Sequence, residues 1–342
     1  MKKIKNTYKT NFFKKVFIKL CRMIGFELID QSNLYLPTLE KSANENLSNL
    51  GKNNISLSLG ETKIKRIVKS LDIIIKTCTS VNLVTQNKKR VFEKNKSEYT
   101  FRTINSIINS LKKNSEELKT IKIKIFIIDY NSEENDLRII GNILDNSKIE
   151  YEIVNLDLEK FNEIKTINKN NSSIEKNMKA TMASINSSFN LAKEKSDDLV
   201  YFVEDDYIHK SDSIFEMISA YEKISTEIEN DLFICPVDYP YLYKKLENSK
   251  IFIGNKYHWR TVNESLLTFL TSKSLMIKYW DELILMSKNE HSPFETPLHN
   301  IFKKEICISP IPSLAMHCTN VNSVFGLSPN INWKKLWDEN KL

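Results

Sequence analysis

Glycine is scarce in this chain, which has only six among 342 residues. None of the six forms a GxxxxGK or GxGxxG pattern, the loops in which a missing side chain lets backbone amides approach phosphate oxygens. This absence argues against P-loop proteins, kinases and sugar nucleotidyltransferases. Any phosphate chemistry in this protein must therefore depend on side chains and a bound cation.

Cysteine pairs with the spacing of a zinc or redox site are also missing. The five cysteines are odd in number and far apart: Cys21, Cys78, Cys235, Cys307 and Cys318. Without a CxxC motif, this usage indicates reduced thiols, and we expect a cytoplasmic protein. No apolar run approaches the roughly 18 residues of a membrane-spanning helix, and the start lacks the apolar core of a signal peptide.

Acidic residues are absent from residues 1–26, and this segment accounts for the net charge of +7. It carries eight basic residues, namely Lys2, Lys3, Lys5, Lys9, Lys14, Lys15, Lys19 and Arg22. The remaining 42 basic and 43 acidic residues nearly cancel. Apolar residues recur in the same segment at helical spacing: Phe12, Phe13, Val16, Phe17, Leu20, Cys21 and Ile24. The pattern predicts a basic amphipathic arm over residues 1–28.

Such an arm suits the surface of an anionic membrane, where each basic group contributes about 1 kcal/mol of attraction. The alternatives are a helix docked on the protein's own core and a frayed terminus. We expect no nucleic-acid partner, because the basic residues stop with the arm and no recognition motif follows.

The rest of the chain has the composition of a soluble globular protein, with 41% hydrophobic and 27% charged residues overall. Residues 29–66 include a polar stretch rich in Asn, Ser and Gly, which predicts a linker or irregular cap. Beyond it, apolar strands near residues 70–79, 122–129, 151–154 and 199–204 alternate with amphipathic helices. This alternation predicts an α/β protein with a mostly parallel sheet flanked by helices.

Three adjacent carboxylates, Glu204, Asp205 and Asp206, follow the apolar strand that begins at Leu199. Adjacent acids repel one another unless a cation lies between them, and a hard divalent ion with oxygen ligands would relieve that repulsion. The alternative is a solvated acidic turn. Because Thr77 and Asp129 also fall at strand ends, we expect all five residues to face one crevice beyond the carboxyl edge of the sheet.

These segments resemble the GT-A glycosyltransferases, especially their large inverting group. The resemblance covers residues 71–211 and rests on Ile73-Ile74-Ile75-Lys76-Thr77-Cys78, Ile127-Ile128-Asp129-Tyr130-Asn131-Ser132, Ser184-Ile185-Asn186 and Glu204-Asp205-Asp206. The second segment stands in place of the family's "DDxS" turn, the third resembles its "ARN" helix, and the fourth its "DxD" element. The resemblance implies a nucleotide-sugar-binding half over residues 67–211 and an acceptor-binding half over residues 212–342.

By the same resemblance, Asp206 ligates Mn²⁺ or Mg²⁺, with Glu204 beside it, and Asp205 faces the ribose or a metal-bound water. Thr77 and Asp129 border the donor. Tyr130 departs from the family, since it replaces the acid that commonly contacts the nucleobase, and the base is therefore not predicted. A bound metal would stabilise the diphosphate leaving group of a nucleotide sugar.

Two residues further along the chain could complete the donor site. His317 is expected to be a late metal ligand, since imidazole suits Mn²⁺, and a structural histidine is the alternative. Arg260 follows Trp259 and suits a diphosphate or the face of a sugar. The alternative for Arg260 is a surface guanidinium packed on Trp259.

An inverting transferase also needs a general base for the acceptor hydroxyl. Glu295 matches the first acid of the family's "ED" element, and Thr296 replaces the second, which is usually the base. Asp238 and Glu264 are further candidates. A helix-capping role is the alternative for Glu295.

The sequence thus predicts a metal-dependent glycosyltransferase that moves a sugar from a nucleotide-sugar donor to a glycan or lipid-linked acceptor, in bacterial surface polysaccharide synthesis. Two other classes remain open. One is a catalytically inactive GT-A-like assembly factor at a membrane. The other is a metal-dependent phosphohydrolase or nucleotidyltransferase, for which the DxDxT motif and the glycine-rich loop are both absent.

Overall fold

The structure is a computed structural model that describes residues 12–26, 54–57, 60–80, 91–167, 172–244, 247–319, 326–328 and 330–342. The chain divides into two units, Met1–Lys63 and Ile64–Leu342.

The smaller unit contains helix α1 (Phe12–Met23) and an antiparallel hairpin of strands β1 (Asn54–Leu57) and β2 (Gly60–Lys63). The hairpin is regular structure within the segment for which a linker or irregular cap was predicted. Helix α1 agrees with the predicted helical spacing, and its large apolar side chains are exposed, from 41% for Val16 to 80% for Phe13. None of the described helices is long and apolar enough to cross a membrane.

The larger unit is a mixed α/β structure around a central sheet. Its described strands are β3 (Ser70–Thr77), β4 (Lys122–Asp129), β5 (Glu150–Asn155), β6 (Leu199–Glu204), β7 (Tyr207–His209), β8 (Phe233–Ile234), β9 (Ile251–Ile253), β10 (His258–Thr261), β11 (Phe269–Ser272), β12 (Cys307–Ile311) and β13 (Ala315–His317). Its described α-helices are α2 (Lys96–Lys113), α3 (Ser115–Leu118), α4 (Glu134–Asp145), α5 (Ser172–Lys195), α6 (Ser213–Ile228), α7 (Lys273–Lys278), α8 (Trp280–Lys288), α9 (Thr296–Phe302) and α10 (Trp333–Glu339).

Nine of these strands form one sheet in the order β5-β4-β3-β6-β11-β8-β12-β10-β9. Four adjacent strands are parallel, as predicted: β5, β4, β3 and β6. Strand β11 runs antiparallel to both of its neighbours, β6 and β8. At the far edge, β10 is antiparallel to β12 and to β9. The chain leaves β3 towards one edge and returns to place β6 on the other side of β3. Ligands of open α/β sheets bind at such a reversal of strand order, beyond the carboxyl ends.

The central strands form because they are continuous runs of β-branched and aromatic residues. Ile73, Ile74 and Ile75 in β3 are completely buried, and so are the strand-β6 residues Val200 and Val203. Strands covered on both faces have this composition, because neither face meets water. Helix α5 packs on β3 and β4 in this half of the sheet.

One helix differs from its prediction. The pattern from Leu275 to Met286 predicts a single helix, but the structure has two, α7 and α8, with Tyr279 between them at φ −109° and ψ 26°. The Tyr279 phenol donates a hydrogen bond of 2.7 Å to Glu305, a residue distant in sequence. Local periodicity carries no information about such a tertiary contact.

Candidate functional site

A short two-stranded ribbon at the carboxyl edge of the sheet brings the acidic turn to the end of the chain. Strand β7 pairs with β13 in antiparallel register, and Tyr207 lies opposite His317. The two rings stack with centroids 4.5 Å apart and planes inclined by 13°. The Cys318 amide donates a hydrogen bond of 2.9 Å to the carbonyl oxygen of Asp206. The backbone therefore places Asp206 beside the end of β13.

Asp206 and His317 face each other across this ribbon. Their nearest atoms, Oδ2 and Nε2, are 3.4 Å apart, and the side chains retain 14% and 7% of their exposure. The Thr319 hydroxyl also donates to Asp206 Oδ2. Burial by itself would raise the pKa of Asp206, but the charge and hydrogen bond of His317 outweigh it and lower that pKa well below its usual range. Burial lowers the pKa of His317, and Asp206 more than reverses this, so the net shift is upward.

Glu204 lies at the end of β6, next to Lys76 of the neighbouring parallel strand. Its carboxylate is 3.4 Å from Lys76 Nζ, and its backbone amide donates to Thr268 Oγ1 at 3.1 Å. The charge of Glu204 also contributes to the raised pKa of His317. Asp206 and His317, two of the three predicted metal ligands, are thus in contact, and the third, Glu204, lies close enough to His317 to influence it electrostatically.

Within the described ranges, no three His, Cys, Asp or Glu side chains converge on one point as a ready-made metal site. His317 Nδ1 is buried and has no hydrogen-bond partner in the same ranges. The pair formed by Asp206 and His317 offers a carboxylate oxygen and an imidazole, a ligand combination that suits Mn²⁺. The remaining positions of a six-coordinate ion would have to be filled by water and a phosphorylated ligand.

The partners of the Asp205 carboxylate differ from those of Asp206. Its carboxylate accepts hydrogen bonds from Lys96 Nζ, from Thr100 Oγ1 at 2.9 Å and from the Cys78 amide at 3.3 Å. Lys96 and Thr100 are one turn apart on α2, so Asp205 ties that helix to the loop after β3. Lys96 and Thr100 belong to no motif, so nothing in the sequence indicates this contact.

Thr77 and Asp129 lie at neighbouring strand ends and bind each other. The Thr77 hydroxyl donates to Asp129 Oδ1 at 2.6 Å, and the Ser132 hydroxyl donates to the same oxygen at 2.6 Å. The predicted turn after β4 is present, with Asn131 in the left-handed region at φ 56°. Ser132 also accepts a hydrogen bond of 2.9 Å from the Thr79 amide. The network holds the loops after β3 and β4 together.

Glu295 immediately precedes α9 and is partly buried. It occupies the N-cap position of α9, and its side chain makes no capping hydrogen bond to the helix. Burial is the main reason that its pKa is raised to about 7; Glu204 raises it further, and Lys76 and His317 oppose the rise. Glu295 therefore lies within electrostatic range of Glu204 and His317. A carboxyl group with this pKa can exchange a proton near neutral pH.

Asp238 and Arg260, predicted for different roles, form a buried ion pair. Arg260 Nη2 is 2.6 Å from Asp238 Oδ1, and the side chains retain 9% and 1% of their exposure. Burial raises the pKa of Asp238, although the hydrogen bond from Tyr243 and the charge of Arg260 oppose the rise. Asp238 is therefore already engaged by two donors, unlike a base awaiting a substrate.

Glu264, the last candidate base, is hydrogen-bonded to Tyr241. Burial raises the pKa of Tyr241, and the carboxylates of Glu264 and Glu295 raise it further. The structure thus brings Asp206 and His317 into contact, with Glu204 and Glu295 within electrostatic range of His317. It places Asp205, Thr77, Asp129, Asp238 and Arg260 in contacts that hold the surrounding loops. Lys76 and Thr319, which the sequence analysis missed, contact the central residues.

Comparison with solved structures finds distant similarities. The chain is 9% identical to a TarS fragment from S. aureus over 61% of this chain and 48% of that chain, with a TM-score of 0.34. It is 14% identical to an active-site mutant of LgtC over 64% of each chain, with a TM-score of 0.34. For a UDP-glucose pyrophosphorylase complexed with UDP-glucose, the identity is 10% over 80% of this chain and 98% of that chain, with a TM-score of 0.40.

No protein-family model matches the sequence, and no curated protein matches it. The chain spans 48% and 29% of the two TarS chains that it matches. At these identities and TM-scores the similarities do not establish a reaction or a substrate. The functional conclusion therefore depends on the site residues.

Proposed function

We propose that this protein is a metal-dependent glycosyltransferase that moves a sugar from a nucleotide-sugar donor to a glycan or lipid-linked acceptor. The observation that carries the proposal is the contact of Asp206 with His317 beyond the carboxyl end of β6. This contact lies at the reversal of strand order, where open α/β sheets bind their ligands. We further propose that the reaction inverts the anomeric configuration and serves surface polysaccharide synthesis in a bacterium.

Asp206 and His317 are the residues that would hold the metal, with Glu204 nearby to attract it. Mn²⁺ or Mg²⁺, when bound, supplies positive charge that stabilises the diphosphate leaving group. The low pKa of Asp206 supports this role, because the carboxylate stays ionised at physiological pH. Asp206 also keeps 14% of its side-chain exposure, so the carboxylate is within reach of a ligand.

Thr77, Asp129 and Asp205 would shape the donor site. Their side chains are engaged by protein partners, which hold the loop after β3 against α2 and the turn after β4. A loop held in this way is pre-organised, so donor binding would order few additional residues. Arg260, which the sequence suggested for the donor, is held in a buried ion pair with Asp238 and would instead support the site from the acceptor side.

Glu295 would accept the proton of the acceptor hydroxyl. A base works best when its pKa lies near the working pH, since it is then ionised and still basic enough to take a proton. The pKa of about 7 supports Glu295 over Asp238, whose carboxylate is bound by Arg260 and Tyr243. The proton held by Glu295 can then pass to water when the product leaves.

We also propose that the protein acts in the cytoplasm and that its arm lies on an anionic membrane surface. The arm has eight basic residues and no acid in residues 1–26. Six α1 residues (Phe12, Phe13, Val16, Phe17, Leu20 and Met23) expose apolar side chains. A cationic helix with such residues partitions into the interface between headgroups and acyl chains.

A thermal-shift screen tests the catalytic proposal. Uridine, guanosine, cytidine and thymidine nucleotide sugars are added with and without Mn²⁺, and the melting temperature is recorded. A true donor at 100 times its dissociation constant adds about 2.7 kcal/mol to the free energy of unfolding. Stabilisation that requires both Mn²⁺ and one nucleotide sugar supports the proposal. Stabilisation by no nucleotide sugar, with or without metal, favours the inactive assembly factor instead.

A further inference from the structure

Tyr243 combines wide exposure with a fixed position. Its side chain is 51% exposed, although it lies only a few residues from the buried Asp238. The guanidinium carbon of Arg260 lies 4.1 Å from the ring centroid, and the phenol donates a hydrogen bond to Asp238 Oδ2. One face of the ring is therefore covered by a cation and its hydroxyl is anchored, and the exposed remainder of the ring meets solvent.

The ion pair of Arg260 and Asp238, which holds the ring, carries a large desolvation penalty. Arg260 and Asp238 are almost completely buried, and removing two charges from water consumes much of the free energy that their attraction provides. Stability alone is therefore a weak reason for the pair. The ion pair also holds the Tyr243 ring in one position. The side chain therefore loses little conformational entropy when a ligand covers its exposed surface.

The ring also belongs to a segment that starts at the candidate site. Tyr239 donates or accepts a hydrogen bond of 2.7 Å with Tyr207, and its ring centroid is 6.5 Å from that of His317. Tyr241 is bonded to Glu264 and influenced by Glu295. Tyr243 follows in the same short 3₁₀ helix, Pro240–Lys244. In the sheet, β3 and β4, which precede the proposed donor loops, lie on one side of β6, and β8, which precedes this segment, lies on the other side.

We infer that Tyr243 is a stacking platform for a sugar ring of the acceptor, held in place by Arg260 and Asp238 as positioning residues. This inference rests on the proposed function, because an acceptor hydroxyl must reach Glu295 and so the acceptor must lie on this side. The C–H face of a pyranose is apolar and slightly electropositive, and it is attracted to the electron-rich face of an aromatic ring. The hydrogen bond from the phenol to the Asp238 carboxylate adds electron density to the ring, and the guanidinium of Arg260 holds the ring in place, so stacking needs no further rearrangement.

The test measures sugar binding separately from transfer. Saturation-transfer NMR is recorded with a panel of methyl glycosides and disaccharides of hexoses and N-acetylhexosamines. Wild type, Tyr243→Ala, Tyr243→Trp and Tyr279→Ala are compared. Tyr279 is the matched control, since its phenol is also bonded to a carboxylate, Glu305, and Lys278 also lies beside its ring. Because Tyr243 is exposed, the alanine variant should retain the fold, which the melting temperature checks.

We expect wild type to show saturation transfer to the ring C–H protons of at least one sugar. Tyr243→Ala should weaken that binding by about three- to tenfold, the scale of one aromatic contact, while Tyr243→Trp and Tyr279→Ala preserve it. Stabilisation by Mn²⁺ and nucleotide sugar should be the same in all four proteins. Equal sugar binding in Tyr243→Ala and wild type, or no binding of any sugar by wild type, overturns the inference.

The two proposals can fail independently. If no nucleotide sugar raises the melting temperature of wild type in the presence of Mn²⁺, but sugar binding still depends on Tyr243, the transferase proposal is wrong. Tyr243 would then belong to a saccharide-binding surface. If Mn²⁺ and a nucleotide sugar raise the melting temperature as expected, but sugar binding is the same with and without the Tyr243 side chain, the transferase proposal stands and the stacking platform is wrong.

Discussion

Asp206 and His317 are distant in sequence, yet their side chains approach to 3.4 Å at the carboxyl edge of the sheet. The β7–β13 ribbon creates this contact, because it places Tyr207 opposite His317 and anchors the Asp206 carbonyl to the Cys318 amide. A carboxylate and an imidazole are thereby brought together at the edge where open α/β sheets bind their ligands.

Replacing Asp206 by Asn should reduce sugar transfer by at least about a hundredfold, since even indirect supports of a metal site cost ten- to a hundredfold. The variant keeps the size of the side chain and removes its charge. Metal-dependent release of nucleotide from the donor measures the effect. Asp205→Asn is the comparison: it should act mainly on donor affinity, because Asp205 holds the loop after β3. Near-normal turnover of Asp206→Asn at saturating donor would contradict the metal site.

Replacing His317 by Ala should raise the Mn²⁺ concentration needed for half-maximal activity by about ten- to a hundredfold. The change removes the imidazole that contacts Asp206 and leaves Glu204 in place. A titration of activity against Mn²⁺ at fixed donor measures it. An unchanged titration would show that His317 is a structural histidine stacked on Tyr207.

Replacing Glu295 by Gln should lower turnover by about 10²- to 10⁴-fold with little change in donor affinity, because proton transfer is lost and the metal site is retained. Turnover and nucleotide-sugar affinity are measured in parallel. Asp238→Asn and Glu264→Gln serve as comparisons. If Glu295→Gln keeps full activity and turnover is lost in Asp238→Asn or Glu264→Gln, the base is the residue changed in that variant.

The same variant should change how stability depends on pH. The folded protein raises the pKa of Glu295 to about 7 from its usual value near 4.5, so between these values the folded state binds more protons than the unfolded state. The contribution of Glu295 to stability is therefore present at low pH and lost as the pH rises towards 7. The melting temperature of Glu295→Gln should therefore rise relative to that of wild type as the pH increases from 5 to 8. A constant difference over that range would contradict the raised pKa.

Deleting residues 1–26 should abolish sedimentation with anionic liposomes at low salt and leave activity on a water-soluble acceptor unchanged. The attraction is electrostatic in part, and the Debye length falls from about 10 Å at 0.1 M salt to about 3 Å at 1 M, so binding of wild type should weaken with salt. The double substitution Phe13→Ser/Phe17→Ser is the matched variant for the deletion, since it keeps every charge of the arm and removes apolar surface. Equal liposome binding with and without the arm, or a lower melting temperature after deletion, would contradict the membrane role.

Much of the fold was predictable because its signals are local. The strands around Ile73, Ile125 and Val200 are continuous apolar runs, and such runs are buried in parallel sheets whatever their partners. Helix α1 and helix α5 follow from apolar spacing alone. The break at Tyr279 was not predictable, because a hydrogen bond to Glu305 accompanies it and local pattern contains no information about that residue.

The sequence by itself determined that three carboxylates end a buried strand, that Thr77 and Asp129 end two other apolar strands, and that the net positive charge lies in the arm, because each of these depends on residues adjacent along the chain. Only the tertiary structure decided which of those groups meet. Asp205 turns towards Lys96 and Asp206 towards His317, and Asp238 is bound to Arg260, because strand pairing brings together residues distant in sequence, and a buried charge is stable only beside a partner.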